Sequence, residues 1–352
     1  MTNHRSSPIF LLVITLGLSA GCAGSSNTTS NRPIDRTVSL GAAAVAEGVH
    51  TREPWRFGEA RGEVIRTRNY RIYTTESSQI LVDRLTSFTE HALAHYRTAI
   101  VTLPEPPQRL DTYLMDNRSQ YEALTRRLLP EQAETILKIM RGGFASRGIG
   151  VYYDIGLYDT LAIAAHEGWH QYVQRTFANP LPVYLDEGLA TFMEGHSWIS
   201  GPRVNTPVFR PWGNIERYDQ LRSAVHAGRT VSLHTLTTSR PQDLIETVGD
   251  GALDYYAQVW ALAHFLNTPE HRASLGLLLQ EAASGQMRNR LIELHGRREA
   301  TAMLTRRLGP EILRLYFNAN LDELNHDYQR FLIDLAAVGS RDAIAAGRSP
   351  FD

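Results

Sequence analysis

The segment AAHEGWHQYV at 164–173 carries His166 and His170 four residues apart, with Glu167 directly after the first histidine. On a helix that interval puts both imidazoles on one face, a turn apart, where they can reach a single metal ion. Glu167 then points to an adjacent face, able to take a proton from a water beside the metal without being a ligand. Downstream, LPVYLDEGLATFMEG at 181–195 brings Glu187 near the start of a second helix, after a proline-rich turn that folds it back on the first. Glu187 completes a ligand set. Two neutral histidines and one carboxylate leave Zn²⁺ with net positive charge and an open fourth position, the requirement for Lewis-acid hydrolysis. Glu194 follows Glu187 by seven residues on the same helical face, in reach of the far nitrogen of a ligand histidine. For both acids the competing reading is a solvated helix face. His91 and His95, in TEHALAHY, share the spacing but lack a glutamate after the first histidine and a carboxylate-bearing apolar run downstream. They read as surface or satisfied core histidines.

HEGWHQ followed by LDEGLATFMEG resembles the gluzincin metallopeptidases, especially the aminopeptidase and leukotriene-hydrolase type. The layout is also similar to that of bacterial lipoproteins with a peptidase-MA-like domain. The resemblance implies a zincin-like fold, zinc on His166, His170 and Glu187, Glu167 as general base and Glu194 as the acid behind a ligand. It implies a further residue: DYYAQVWALAHFL at 254–266 resembles the aminopeptidase segment whose tyrosine stabilises the developing oxyanion, which falls on Tyr256. Tyr255, about 100° away on the helix, competes for that role, and both tyrosines could instead simply pack the core. RGIGVYYD at 147–154 stands where aminopeptidases carry the glutamate that grips a free amino group, yet it has none. That points away from aminopeptidase specificity and leaves the strand free to pair with an extended peptide.

These residues need elements to hold them. Asp159 or Thr160 is expected to cap the HEGWH helix, which ANP at 178–180 ends. Strands are expected at 70–75, 109–116 and 149–158, and helices at 78–100 and 119–129. From 160 onward the periodic segments are helical, including 255–267 and 321–338. Strands early and helices late predict an α+β fold. The expected division is a signal peptide at 1–21, a flexible tether at 22–62, a catalytic core at 63–200, a helical subdomain at 201–340 completing the cleft, and a tail at 341–352.

The start of the chain speaks to location. A basic MTNHR precedes the apolar run IFLLVITLGLSA at 9–20, too short to span a bilayer comfortably. LSAGC at 18–22 resembles the lipobox of bacterial lipoproteins, with Cys22 as lipid acceptor. Cys22 is the single cysteine, which excludes an intramolecular disulfide. Removing residues 1–21 takes away Arg5 alone and leaves 35 basic against 37 acidic residues, no electrostatic reason to expect nucleic acid. The expectation is a zinc-dependent metallopeptidase acting on peptide or protein substrates, lipid-anchored at the bacterial cell envelope on its periplasmic or surface side. The alternative class is a non-catalytic zincin-fold envelope lipoprotein used for binding or scaffolding, which has no need of Glu167. Hydrolysis of a non-peptide amide would use the same residues. A serine hydrolase is disfavoured, because GHSWI at 195–199 lacks the second glycine of its motif.

Overall fold

LDTYLM at 110–115 shows how the central sheet sorts its side chains: Leu110, Thr112 and Leu114 face one layer, Tyr113 and Met115 the other. The structure is a computed structural model that describes residues 10–11, 49–138, 142–200, 205–241 and 251–352. Strands β1 (Phe10–Leu11), β2 (Thr51–Phe57), β3 (Ala60–Arg66) and β4 (Tyr70–Thr74) come first, then helix α1 (Gln79–Thr98) and β5 (Leu110–Met115). Helices α2 (Arg118–Leu128) and α3 (Ala133–Ile136) precede β6 (Gly143–Ser146) and β7 (Ile149–Tyr153). The sheet order is β1-β6-β7-β5-β4-β3-β2. β5 runs parallel to β4 and β7, and every other pairing is antiparallel. The protein is therefore a mixed α+β structure.

Two helices carry the candidate chemistry: α4 (Leu157–Thr176) and α5 (Val183–Met193). α4 packs with α1 on one face of the sheet, and α2 covers the opposite face. Gln171 fixes α4 to the strands, since its amide donates to the carbonyls of Asp111 and Gly148 and accepts from Thr112 Oγ1. The expected cap is displaced. Gly156 occupies the N-cap at φ 106 with no side-chain cap, while Asp159 and Thr160 lie inside the first turn. Thr160 Oγ1 instead accepts from the Ile155 N–H at 3.0 Å, holding the incoming chain. The helix stops at Phe177, just ahead of the expected breaker.

A hairpin of β8 (His196–Ser200) and β9 (Asn205–Phe209) follows, then α6 (Ile215–His226), α7 (Leu233–Thr238) and α8 (Gly251–Leu266). The last helices are α9 (Arg272–Ser284), α10 (Gln286–Arg306), α11 (Glu311–Tyr316), α12 (Leu321–Leu335) and α13 (Ser340–Ala345).

Several expected boundaries move. Residues 51–62 are not a tether but most of the β2–β3 hairpin, which β4 extends. β2 is a largely exposed edge strand held by ladder hydrogen bonds and by pairs such as Arg52–Glu63, with only Trp55 and Phe57 packed on an apolar cluster, so its sequence shows no sustained apolar face. Residues 22–48 of the expected tether, Cys22 among them, and the expected signal peptide apart from Phe10–Leu11 lie outside the described residues. The β8–β9 hairpin interrupts a half expected to be helical. The split at 200 does not separate two cores, because one apolar cluster runs from Ile65 to Ile344. Nor is 341–352 a loose tail, since α13 forms and Phe351 packs against Trp212 and Phe331. Among the described residues no helix is long and apolar enough to cross a membrane.

Candidate metal centre

His166 and His170 both point from the buried face of α4 toward α5, and both are fully buried. Their Nε2 atoms stand 3.2 Å apart. Glu187 Oε2 lies 3.3 Å from His166 Nε2 and 3.5 Å from His170 Nε2. Three ligand atoms thus form a nearly equilateral triangle. Ligands about 2.0–2.1 Å from a tetrahedral zinc stand roughly 3.3 Å from one another, so the triangle has the size that ion requires. His166, His170 and Glu187 are also the one group of potential metal ligands found among the described residues.

The expected partner behind the first ligand is in place. His166 Nδ1 donates to Glu194 Oε1 at 2.8 Å, which leaves Nε2 as the nitrogen with its lone pair toward the triangle. Glu194 is held in turn by Asn214, whose amide donates to Oε2 at 2.6 Å, and by the Arg217 guanidinium at 3.2 Å. Sequence reasoning missed the corresponding device behind His170. There Asp186 Oδ1 accepts from His170 Nδ1 at 3.2 Å and from Trp169 Nε1 at 2.9 Å, while Oδ2 accepts from Arg307 Nη2 at 2.6 Å. Asp186 adjoins Glu187 in LDEG, so its acidity beside a ligand was a readable signal. Asn214, Arg217 and Arg307 carry no such signal, because nothing in their local sequence marks them as buried.

The charges of this region do not cancel within the chain. Glu167, Asp186, Glu187 and Glu194 are four buried carboxylates, and Arg217 and Arg307 are the two buried guanidiniums among them. With neutral histidines and ionised acids the imbalance is two negative charges, which one divalent cation neutralises. The protonation behaviour of the metal-free site points the same way. Burial works against charge on both histidines, yet Glu187 and Glu194 raise the pKa of His166, and Asp186 and Glu187 raise that of His170. The pocket attracts positive charge. The Glu187 Oε2 atom is buried and faces the two histidine Nε2 atoms, at 3.3 and 3.5 Å, the surroundings of a ligand oxygen.

Glu167 lies fully buried, and no side chain hydrogen-bonds its carboxylate; only the Ala145 backbone on β6 favours its charged form by hydrogen bonding. Burial pushes its pKa up to about 7, against the opposing pull of His166 and His170. A carboxyl poised there is suited to taking and returning a proton near neutral pH. Tyr256 reaches the same centre from α8: its ring lies 6.3 Å from the His166 ring, edge to face, and the Arg217 guanidinium sits 5.3 Å over it. Burial raises the Tyr256 pKa well above the ordinary tyrosine value, and Glu187 adds to the rise. Tyr255 stands nearly perpendicular to Tyr256 at 5.9 Å. The control histidines belong elsewhere: His91 is exposed, and His95 stacks on Phe209 with its pKa lowered to about 4 by burial. His95 Nε2 is buried without a partner, so it is a core histidine but not a satisfied one.

The strand expected to meet a substrate is misplaced by one. Ile149–Tyr153 is paired on both sides, with β5 and β6, and has no edge to offer. The next strand outward is β6, whose far edge pairs with β1 and whose sequence GFAS also contains no acidic residue.

Over residues 160–286 the chain matches the family described as "Protein of unknown function (DUF1570)". The match contains the metal triangle, Glu167, Asp186, Glu194, Arg217 and Tyr256. No curated protein and no solved structure matches the chain.

Proposed function

We propose that the chain is a zinc-dependent metallopeptidase with a zincin-like, gluzincin-type centre, exported and lipid-anchored through Cys22 at the bacterial cell envelope. The observation that carries the reading is the triangle of His166 Nε2, His170 Nε2 and Glu187 Oε2 beside the buried carboxylate of Glu167, which no other side chain hydrogen-bonds. Zinc held by those three ligands supplies Lewis acidity for attack of water on a carbonyl. The chain's own groups do the rest. Glu167 accepts a proton from the attacking water and returns it to the leaving amine. Tyr256 donates a hydrogen bond to the oxygen on which negative charge develops. Asp186 and Glu194 hold the two imidazoles in the tautomer and orientation that present Nε2.

A peptide suits the surroundings. β6 lies beside α4, and its outer edge pairs antiparallel with Phe10–Leu11, an extended segment of the kind a peptide substrate offers. Those two residues belong to the expected signal peptide, so processing would vacate the edge. The absence of an acid on β6 and β7 favours cleavage within a chain over removal of a terminal residue. A scaffold without chemistry would gain nothing from burying a Glu167 carboxylate that no other side chain hydrogen-bonds, where desolvation disfavours its charged form.

The test is digestion of a peptide library by the full chain and by Glu167→Gln, with zinc content measured in both. The reading predicts equal zinc and turnover reduced by at least about 100-fold in the variant. Absence of cleavage by either protein at full zinc occupancy would favour the binding role.

A further inference from the structure

We propose that Arg307 is a positioning residue for the ligand His170, acting through Asp186, so that the C-terminal helices set the metal affinity of the centre. The inference rests on the zinc reading above. Arg307 is the residue just past α10, in the left-handed conformation at φ 58, and is almost wholly buried. It lies 121 positions beyond the carboxylate it meets. Its Nη2 donates to Asp186 Oδ2 at 2.6 Å and its Nε to the Leu181 carbonyl at 2.6 Å. Its own carbonyl accepts from the Val183 N–H at 2.9 Å. One residue therefore holds the turn that leads into α5 at one point, Leu181, and the first turn of α5 at two, Val183 and Asp186.

The consequence follows from how Asp186 is shared. Oδ1 fixes His170 Nδ1 and Trp169, so the plane of the carboxylate determines where the His170 ring points. Oδ2 is fixed by the guanidinium. Only a planar fork can donate at once to a carbonyl and to a carboxylate in this geometry, which is the reason for arginine here and not lysine. Without it, Asp186 loses its anchor and can turn away from His170, while Glu187 on the next residue loses the fixed start of its helix. Partners one step behind a ligand are worth about 10–100-fold in metal affinity.

The test is a double-mutant cycle on the full chain, with Zn²⁺ affinity read by competition with a chromogenic chelator and folding checked separately by thermal unfolding. Arg307→Met suits the site, because Pro182, Met303 and Leu304 line an apolar cavity beside Arg307 and both side chains are unbranched at Cβ. Expected are a zinc affinity about 10-fold lower in Arg307→Met, a comparable loss in Asp186→Asn, and little further loss when the two are combined. Arg307→Lys should fall between wild type and Arg307→Met, and it carries the same cycle if the methionine variant does not fold. A role confined to stability would lower the unfolding temperature and leave the affinity of the folded protein unchanged, which overturns the proposal. So would a loss that adds in full to that of Asp186→Asn. A wild-type chain that takes up no zinc overturns the centre itself, and this role with it.

Discussion

At the scale of single residues, the proposed centre divides into groups that would touch a substrate and groups that would aim them. Tyr256 is the sharpest case, since its phenol is buried near Glu187 and Glu167 and its ring packs between His166 and Arg217. Tyr256→Phe keeps that packing and removes only the hydroxyl. It should leave zinc content and fold intact and lower kcat by about 100-fold with little change in KM, the pattern of an interaction made in the transition state. Steady-state kinetics on Tyr256→Phe and Tyr255→Phe decide the matter; a loss confined to Tyr255→Phe would assign the donor to the neighbouring position. His166, Glu167, His170, Glu187 and Glu194 were all legible in the sequence, because spacings of four and seven residues share a helical face and a spacing of one turns Glu167 to the adjacent face. Arg217 and Arg307 were not legible. An arginine on a helix or at its end reads as solvated until tertiary packing buries it against a particular carboxylate.

At the scale of elements, the centre depends on how closely α5 and α8 approach. Gly188 makes that approach possible: a Cβ there would come within 2.5 Å of the Val259 carbonyl oxygen, a backbone atom of the facing helix that cannot swing aside. Gly188→Ala must push α5 and α8 apart, separating Glu187 from Tyr256. The expected cost is about 1–3 kcal/mol of stability, together with weaker zinc binding. Denaturant unfolding and zinc titration check both; an alanine variant as stable as wild type would mean that the helices are less tightly apposed. The long elements were legible for a simple reason. Helices such as α1 and α12 bury one face over several turns and β4 and β5 alternate, so periodicity marks them, whereas α4 and α8 are buried nearly all round and are marked by their length instead. β2 and the β8–β9 hairpin escaped because short or exposed strands derive their stability from pairing, which no local pattern displays. The cap of α4 was misassigned because Gly156 starts the helix on backbone geometry and lets Thr160 hold the entering chain from within the first turn.

At the scale of the whole molecule, the sheet and the C-terminal helices share one core, and the candidate centre lies where they meet. α4 arrives from the sheet side with two ligands, α5 crosses over it with the third, and α6, α8 and the end of α10 supply Arg217, Tyr256 and Arg307. Residues from positions 166 to 307 thus converge on a few side chains, with four buried carboxylates against two buried guanidiniums among them. A divalent cation would complete that arrangement, and the proposal can be met directly by counting metal in the purified full chain. Elemental analysis of wild type, His170→Ala and His95→Ala should give about one zinc per chain in wild type and in His95→Ala, and almost none in His170→Ala. Equal metal content in His170→Ala and wild type would contradict the assignment of the centre.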